Sequence, residues 1–159
     1  MKRTVKKEIN WARIKIGIVA AKWNSFITDE MMESAIHTIR SKGVTEENIY
    51  CYRCPGAFEL PLASKWCLEE LGVDGVIAIG AVIRGGTPHF DYVCDSVTRG
   101  LTDLNLNSGK PVSFGVLTTD TTEQASERAS TDKGNKGAEA ALALCEMLQL
   151  KAVVSGSAE

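Results

Sequence analysis

No apolar stretch of this 159-residue chain approaches the roughly 20 residues that span a bilayer, so a helical membrane protein is excluded as a starting point. The chain also lacks an excess of either charge. With 18 basic and 20 acidic residues the net charge is −2, which leaves no broad electrostatic footprint for nucleic acid. The N-terminus shows no signal-type apolar segment, and a cytoplasmic location is expected. Lys2, Arg3, Lys6 and Lys7 form a small basic cluster there, read as a solvated chain end. Cysteine is present but unsuited to a disulfide framework: five residues, an odd number, stand at irregular spacing, as in a reducing compartment. Cys51-Tyr-Arg-Cys54 has the C-x-x-C form. No second Cys/His pair completes a zinc site, and the stretch is β-like rather than a helix N-terminus that would activate a thiolate. Buried, inert thiols are expected. Histidine is scarce, with only His37 and His89.

What is present is an ordinary globular composition, 44% apolar and 24% charged, at a length that suits one domain over 1–159. Residues 1–13 are read as an N-terminal arm and 155–159 as a disordered tail. The apolar runs at 14–20, 48–53, 76–83 and 112–117 read as strands. Between them lie helical patterns. Thr28 is the expected cap of the first, which carries Met31, Ala35, Ile36 and Ile39 up to Gly43 and places His37 as a structural residue. Further helices are expected after Pro55-Gly56, from Thr87-Pro88, from Thr121, and over 138–148. Strands alternating with helices give an α/β fold with a parallel sheet and right-handed crossovers. Ligands of such sheets bind beyond the carboxyl ends of the strands. Trp23-Asn24, the segment from Pro55 to Glu59, Arg84 to His89, and the turn after Leu117 should therefore converge.

The most informative segment is Gly80-Ala-Val-Ile-Arg-Gly-Gly-Thr-Pro-His-Phe-Asp-Tyr92. An apolar run stops at Arg84, and two glycines precede Thr87, Pro88 and His89. Thr87 suits a helix cap and Pro88 a first turn, so the glycines sit at a strand-to-helix turn with free N–H groups at a positive dipole end. His89 would place a proton-transfer group beside that anion site. The glycine pair alone matches neither of the common phosphate-loop patterns. Trp23 reads either as a core anchor or as a platform for a flat heterocycle. Glu59, a lone carboxylate between Phe58 and Leu60, would either bind ligand hydroxyls or cap the following helix. Arg128 and Lys136 read as ordinary surface charges that spacing does not connect to His89.

Several blocks resemble the 6,7-dimethyl-8-ribityllumazine synthases of riboflavin biosynthesis. They are Gly17-Ile-Val-Ala-Ala-Lys-Trp-Asn24, Pro55-Gly-Ala-Phe-Glu-Leu-Pro61, Gly80 to Tyr92, Phe114-Gly-Val-Leu-Thr-Thr-Asp-Thr-Thr-Glu-Gln-Ala125, Glu127-Arg-Ala129 and Gly134-Asn-Lys-Gly-Ala-Glu-Ala-Ala-Leu142. The resemblance runs from about Ile14 to Leu148 and implies a three-layer α/β/α sandwich around a four-stranded parallel sheet in flavodoxin-like order. The implied reaction condenses 5-amino-6-(D-ribitylamino)uracil with 3,4-dihydroxy-2-butanone 4-phosphate to the lumazine, releasing phosphate and water, with no cofactor and no metal. The implied roles are His89 as acid/base, Trp23 as the ring-stacking residue, and Asn24, Ala57, Phe58 and Glu59 around ring and ribityl chain. The backbone of Val82 and Ile83 would bind the heterocycle, and Gly86, Thr87 and Arg128 the phosphate. Phe114, Arg128 and Lys136 would arrive from a neighbouring subunit. Trp23 stands where many members have Phe, and Ala57 where many have Ser. The resemblance further implies pentamers, or a 60-subunit shell for which the short 129–137 segment is suited although Ser130 and Asp132 depart from the common pattern. It implies an N-terminal segment pairing with the neighbour's sheet, and association with riboflavin synthase.

Two readings compete. A flavin- or nucleotide-binding module of the same topology would need a phosphate loop after the first strand, where this chain has Lys22-Trp-Asn-Ser-Phe26 without glycine. A catalytically inactive shell protein would have lost site residues, yet Trp23, Glu59, Thr87, His89, Arg128 and Lys136 are all present.

Overall fold

Ile16–Ala21 and Gly75–Ile83 contain no polar side chain, and such segments are stable only where both faces are covered. In a computed structural model, which describes residues 7–156, these two segments are the central strands β1 and β3 of a parallel sheet. Ile49–Cys54 (β2) and Val112–Thr119 (β4) form the edges, in the order β2-β1-β3-β4. The helices are α1 (Ser25–Lys42), α2 (Leu60–Glu70), α3 (His89–Ser108), α4 (Thr122–Ala129) and α5 (Lys136–Gly156). On one face Ile16, Ile18, Ile77 and Ile79 pack against Met31 and Ile39 of α1 and Leu144 of α5. On the other, Val19, Val76 and Ala78 pack against Leu60 of α2 and Val97 and Leu101 of α3. The expected three-layer sandwich and strand order are thus observed. Among the described residues no helix is long and apolar enough to cross a membrane.

Several local expectations change. α1 begins three residues earlier than Thr28, at Ser25, because Asn24 adopts a left-handed conformation (φ 59°) and its carbonyl accepts from the amides of Ile27 and Thr28. Thr28 is buried, and its hydroxyl donates to the Ala21 carbonyl at 2.8 Å, tying the helix to the end of β1. Thr87 does not cap α3. Pro88 occupies that position with helical angles, and no side chain caps the helix. Thr121 does cap α4, its hydroxyl accepting from the Gln124 amide at 3.1 Å. α5 runs eight residues beyond the expected end at Leu148, to Gly156, because Leu148 is followed by further apolar residues. Ser155 and Gly156 are therefore helical rather than tail, and 157–159 lie outside the described residues. Of the N-terminal arm, 1–6 also lie outside them, including Lys2, Arg3 and Lys6, while Trp11–Arg13 form a 3₁₀ turn and Trp11 packs on the core.

The α1–α5 crossing is set by one glycine. A Cβ at Gly137 would stand 2.0 Å from the Met31 carbonyl oxygen. Gly137→Ala should force the two helices apart and destabilise the chain by about 1–3 kcal/mol or more, read as a lowered thermal midpoint.

Candidate active site

The carboxyl ends of β1, β2 and β3 meet in one rim. After β1, the Lys22 amide donates to the Cys54 carbonyl at 2.8 Å and the Trp23 amide to the Pro55 carbonyl at 3.0 Å. These bonds extend the parallel ladder into the loops and carry Trp23 over the β2–α2 connection. There the indole lies against Gly56, where a Cβ would come within 2.3 Å of the ring. Gly56 is extended (φ −146°), so its backbone tolerates any residue, and its lack of side chain serves the indole alone. Trp23 is 64% exposed and Phe58, on the 3₁₀ turn Ala57–Glu59, is 60% exposed. Trp23 is thus no core anchor. Gly56→Ala should tilt or displace the indole. The expected result is roughly tenfold weaker binding of a flat heterocycle, measured by quenching of Trp23 fluorescence, with the fold intact.

β3 overhangs its neighbour. Its pairing with β1 ends at Ala20↔Ile79, so Ala81, Val82 and Ile83 present an unladdered edge on that side. Asn24 Nδ2 donates to the Ala81 carbonyl at 3.0 Å, at the start of that edge. Glu59 does not cap the following helix α2 with its side chain; its Oε2 instead accepts from the Gly56 amide at 3.0 Å and closes the 3₁₀ turn Ala57–Glu59 in which it sits. The carboxylate is half-buried, and its second oxygen makes no hydrogen bond among the described residues. Ala57 is buried beneath the rim.

Beyond β3 the Arg84 amide donates to the Thr119 carbonyl at 2.8 Å. Gly85, Gly86 and Thr87 follow with no acceptor for their amides and open space around both glycines among the described residues. His89 is the first residue of α3, exposed and without a hydrogen-bond partner among the described residues. The rim therefore gathers an exposed aromatic face, an open strand edge, three unsatisfied amides at a helix N-terminus and a free imidazole. That set can stack a ring, bind an oxyanion and move a proton.

Phe114, Lys136 and Arg128 are not at this rim. Phe114 pairs with Ala78, five residues before the end of the edge strand β4, or about 16 Å below the strand ends. It lies with Lys136 in a groove of about 310 Å³ between β4 and α5, where Lys136 Nζ is 2.9 Å from Glu139 Oε2. Arg128 is exposed on α4 and, among the described residues, donates only to the Gln124 carbonyl of its own helix, at 3.1 Å.

The C-x-x-C pair is not a unit. Cys51 is exposed and Cys54 buried, as an odd spacing along a strand requires. Burial first, and then the Glu59 carboxylate, pushes the Cys54 thiol up to about 11, so it is no thiolate at neutral pH. No group of three His, Cys, Asp or Glu among the described residues could hold a metal ion.

The 6,7-dimethyl-8-ribityllumazine synthase family model matches residues 13–152, which includes every strand and all but the last turn of α5. The chain belongs to the 6,7-dimethyl-8-ribityllumazine synthase family. A protein of that name from Porphyromonas gingivalis is 50% identical over 140 residues, covering 88% of this chain and 87% of that one. Membership of the lumazine synthase family rests on matches over most of this chain. It leaves a flavin-binding module unsupported, as does the glycine-free loop after β1. Two features of the rim escape sequence reading: Gly56 as the seat of Trp23, and Arg84, which pairs with Asp120 and Asp91 and stacks on Phe90. The charge of Arg84 where an apolar run ends is the one signal the sequence offers.

Proposed function

We propose that the rim is one half of an active site and that the groove at Phe114 and Lys136, with Arg128, is the other half, supplied by a second copy of the chain. The reaction is the family's condensation of 5-amino-6-(D-ribitylamino)uracil with 3,4-dihydroxy-2-butanone 4-phosphate to 6,7-dimethyl-8-ribityllumazine. The observation that carries this reading is the exposed Trp23 face after β1 together with the unsatisfied amides of Gly86 and Thr87 after the adjacent strand β3, with His89 two residues beyond Thr87.

The pyrimidine stacks on Trp23, its polar edge meets the backbone of Val82 and Ile83, and Asn24, Ala57, Phe58 and Glu59 border the ribityl chain. The substrate amine attacks the ketone carbonyl, forming a C–N bond and, after loss of water, an imine. Phosphate then leaves the terminal carbon, and the second amine closes the ring with loss of a second water. His89 moves protons at the carbinolamine oxygen and at the carbon deprotonated before phosphate departs. Gly86, Thr87 and Arg128 hold the phosphate throughout. Proximity of two oriented substrates supplies much of the rate.

Large apolar side chains on both flanks of the sheet support the split site. Tyr52, Leu62 and Trp66 stand beside a groove of about 560 Å³ near β2. On the β4 flank Leu106, Phe114, Met147, Leu150 and Val154 are exposed. Two different apolar faces on opposite edges suit a head-to-tail contact, which gives a ring when the rotation between copies closes. A ring of five, and with the short 129–137 connection a shell of twelve rings, is the assembly proposed. Five unpaired cysteines support a reducing, cytoplasmic setting.

The test is to mix both substrates with the protein and follow lumazine absorbance and phosphate release together. One phosphate per lumazine is expected. Ligand binding without turnover would instead indicate an inactive shell protein or a binding module. Sedimentation separates pentamer from shell.

A further inference from the structure

The turn that carries the unsatisfied amides has little of its own to hold it. Gly85 and Gly86 touch nothing that a Cβ would meet, and Pro88 has no N–H. Main-chain bonding to the sheet stops at Arg84. The first turn of α3 is nevertheless fastened to the sheet through one side chain. Arg84 Nε donates to Asp120 Oδ1 at 2.7 Å, its Nη1 reaches Asp91 Oδ1 at 3.5 Å, and the guanidinium carbon lies 4.3 Å from the centre of the Phe90 ring. Phe90 and Asp91 directly follow His89, while Asp120 opens the turn after β4. Flanked by two carboxylates, the guanidinium is charge-compensated and is not free to act as a phosphate ligand. An exposed ion pair of this kind adds little to global stability, but a contribution of that size is enough to bias the populations of a turn that main-chain bonds do not hold.

We propose that Arg84 is a positioning residue for the phosphate-binding turn. It pins the first turn of α3 to the ends of β3 and β4 and so fixes the Gly86 and Thr87 amides relative to His89. This rests on the reading of Gly86 and Thr87 as the phosphate site.

The experiment measures equilibrium binding of inorganic phosphate to the full-length protein, with steady-state kinetics, for Arg84→Ala, Arg84→Lys, Asp120→Asn, Thr87→Ala and Gly86→Pro. Arg84→Ala should weaken phosphate and raise KM for the phosphorylated ketone by about tenfold, without changing KM for the ribitylamino substrate or the melting temperature. Arg84→Lys keeps the charge but loses the planar fork, and it should fall in between. Asp120→Asn separates positioning from direct binding. It leaves the guanidinium charged and freer, so positioning demands weaker phosphate binding, whereas a direct ligand would bind as well or better. It also carries the test if Arg84→Ala fails to fold. Wild-type phosphate affinity in Arg84→Ala or Asp120→Asn, with Thr87→Ala or Gly86→Pro impaired, overturns the role of Arg84 and leaves the phosphate site standing. Wild-type affinity both in Thr87→Ala, which loses the hydroxyl, and in Gly86→Pro, which loses an amide, removes the phosphate site itself. Parallel loss of both KM values and of melting temperature shows a merely structural residue and also overturns the proposal.

Discussion

Arg128→Ala is expected to lower kcat/KM for the phosphorylated ketone by about two orders of magnitude or more, while KM for the ribitylamino substrate stays near wild type. The magnitude follows from two charge-assisted hydrogen bonds of a bidentate guanidinium–phosphate pair, worth about 1.5–3 kcal/mol each. Arg84 is spent on Asp91 and Asp120. Fold and assembly should be unaffected by the substitution, because Arg128 is exposed and its one bond is to a carbonyl of its own helix. Steady-state kinetics with each substrate varied in turn makes the check. An unchanged KM for the phosphorylated compound would remove Arg128 from the phosphate site.

His89→Ala should reduce kcat by about 10²–10⁴-fold, the range that proton transfer by a positioned side chain contributes. The side chain is exposed and has no partner among the described residues, so its loss leaves no cavity and no orphaned buried group. Sedimentation of the variant should match the unaltered protein. Residual turnover is expected, because stacking on Trp23 and phosphate capture still bring the two substrates together. Turnover equal to the unaltered protein would assign the proton transfers to another group or to water.

The central strands were the most legible part of the chain. Ile77 and Ile79 face one layer, Val76 and Ala78 the other, and a run with no polar residue admits no other placement. The expectation that Trp23, Glu59 and His89 follow the carboxyl ends of neighbouring strands is met by the strand order. Helix starts were less legible. Thr28 has the chemistry of a cap, but Asn24 tolerates the left-handed conformation and starts the helix earlier, leaving Thr28 to bond back to Ala21. Thr87 failed as a cap because Pro88 itself takes the boundary with helical angles. Gly56 and Arg84 act through contacts with residues distant in sequence or across a turn, which no local pattern encodes. Phe114 and Lys136 are brought together only by the packing of α5 on β4, and spacing could not connect either to His89 because one copy of the chain does not connect them.

That division of the site is the claim on which the rest depends, and subunit mixing tests it directly. His89→Ala and Arg128→Ala chains are unfolded together, reassembled and assayed against each variant reassembled alone. If the site lies between copies, a contact pairing an intact His89 rim with an intact Arg128 face recurs in about a quarter of positions after random mixing in a head-to-tail ring. The expected result is recovery of about a quarter of the unaltered activity. Activity of the mixture no greater than the mean of the two variants would show that His89 and Arg128 serve the same chain, and would contradict the split site.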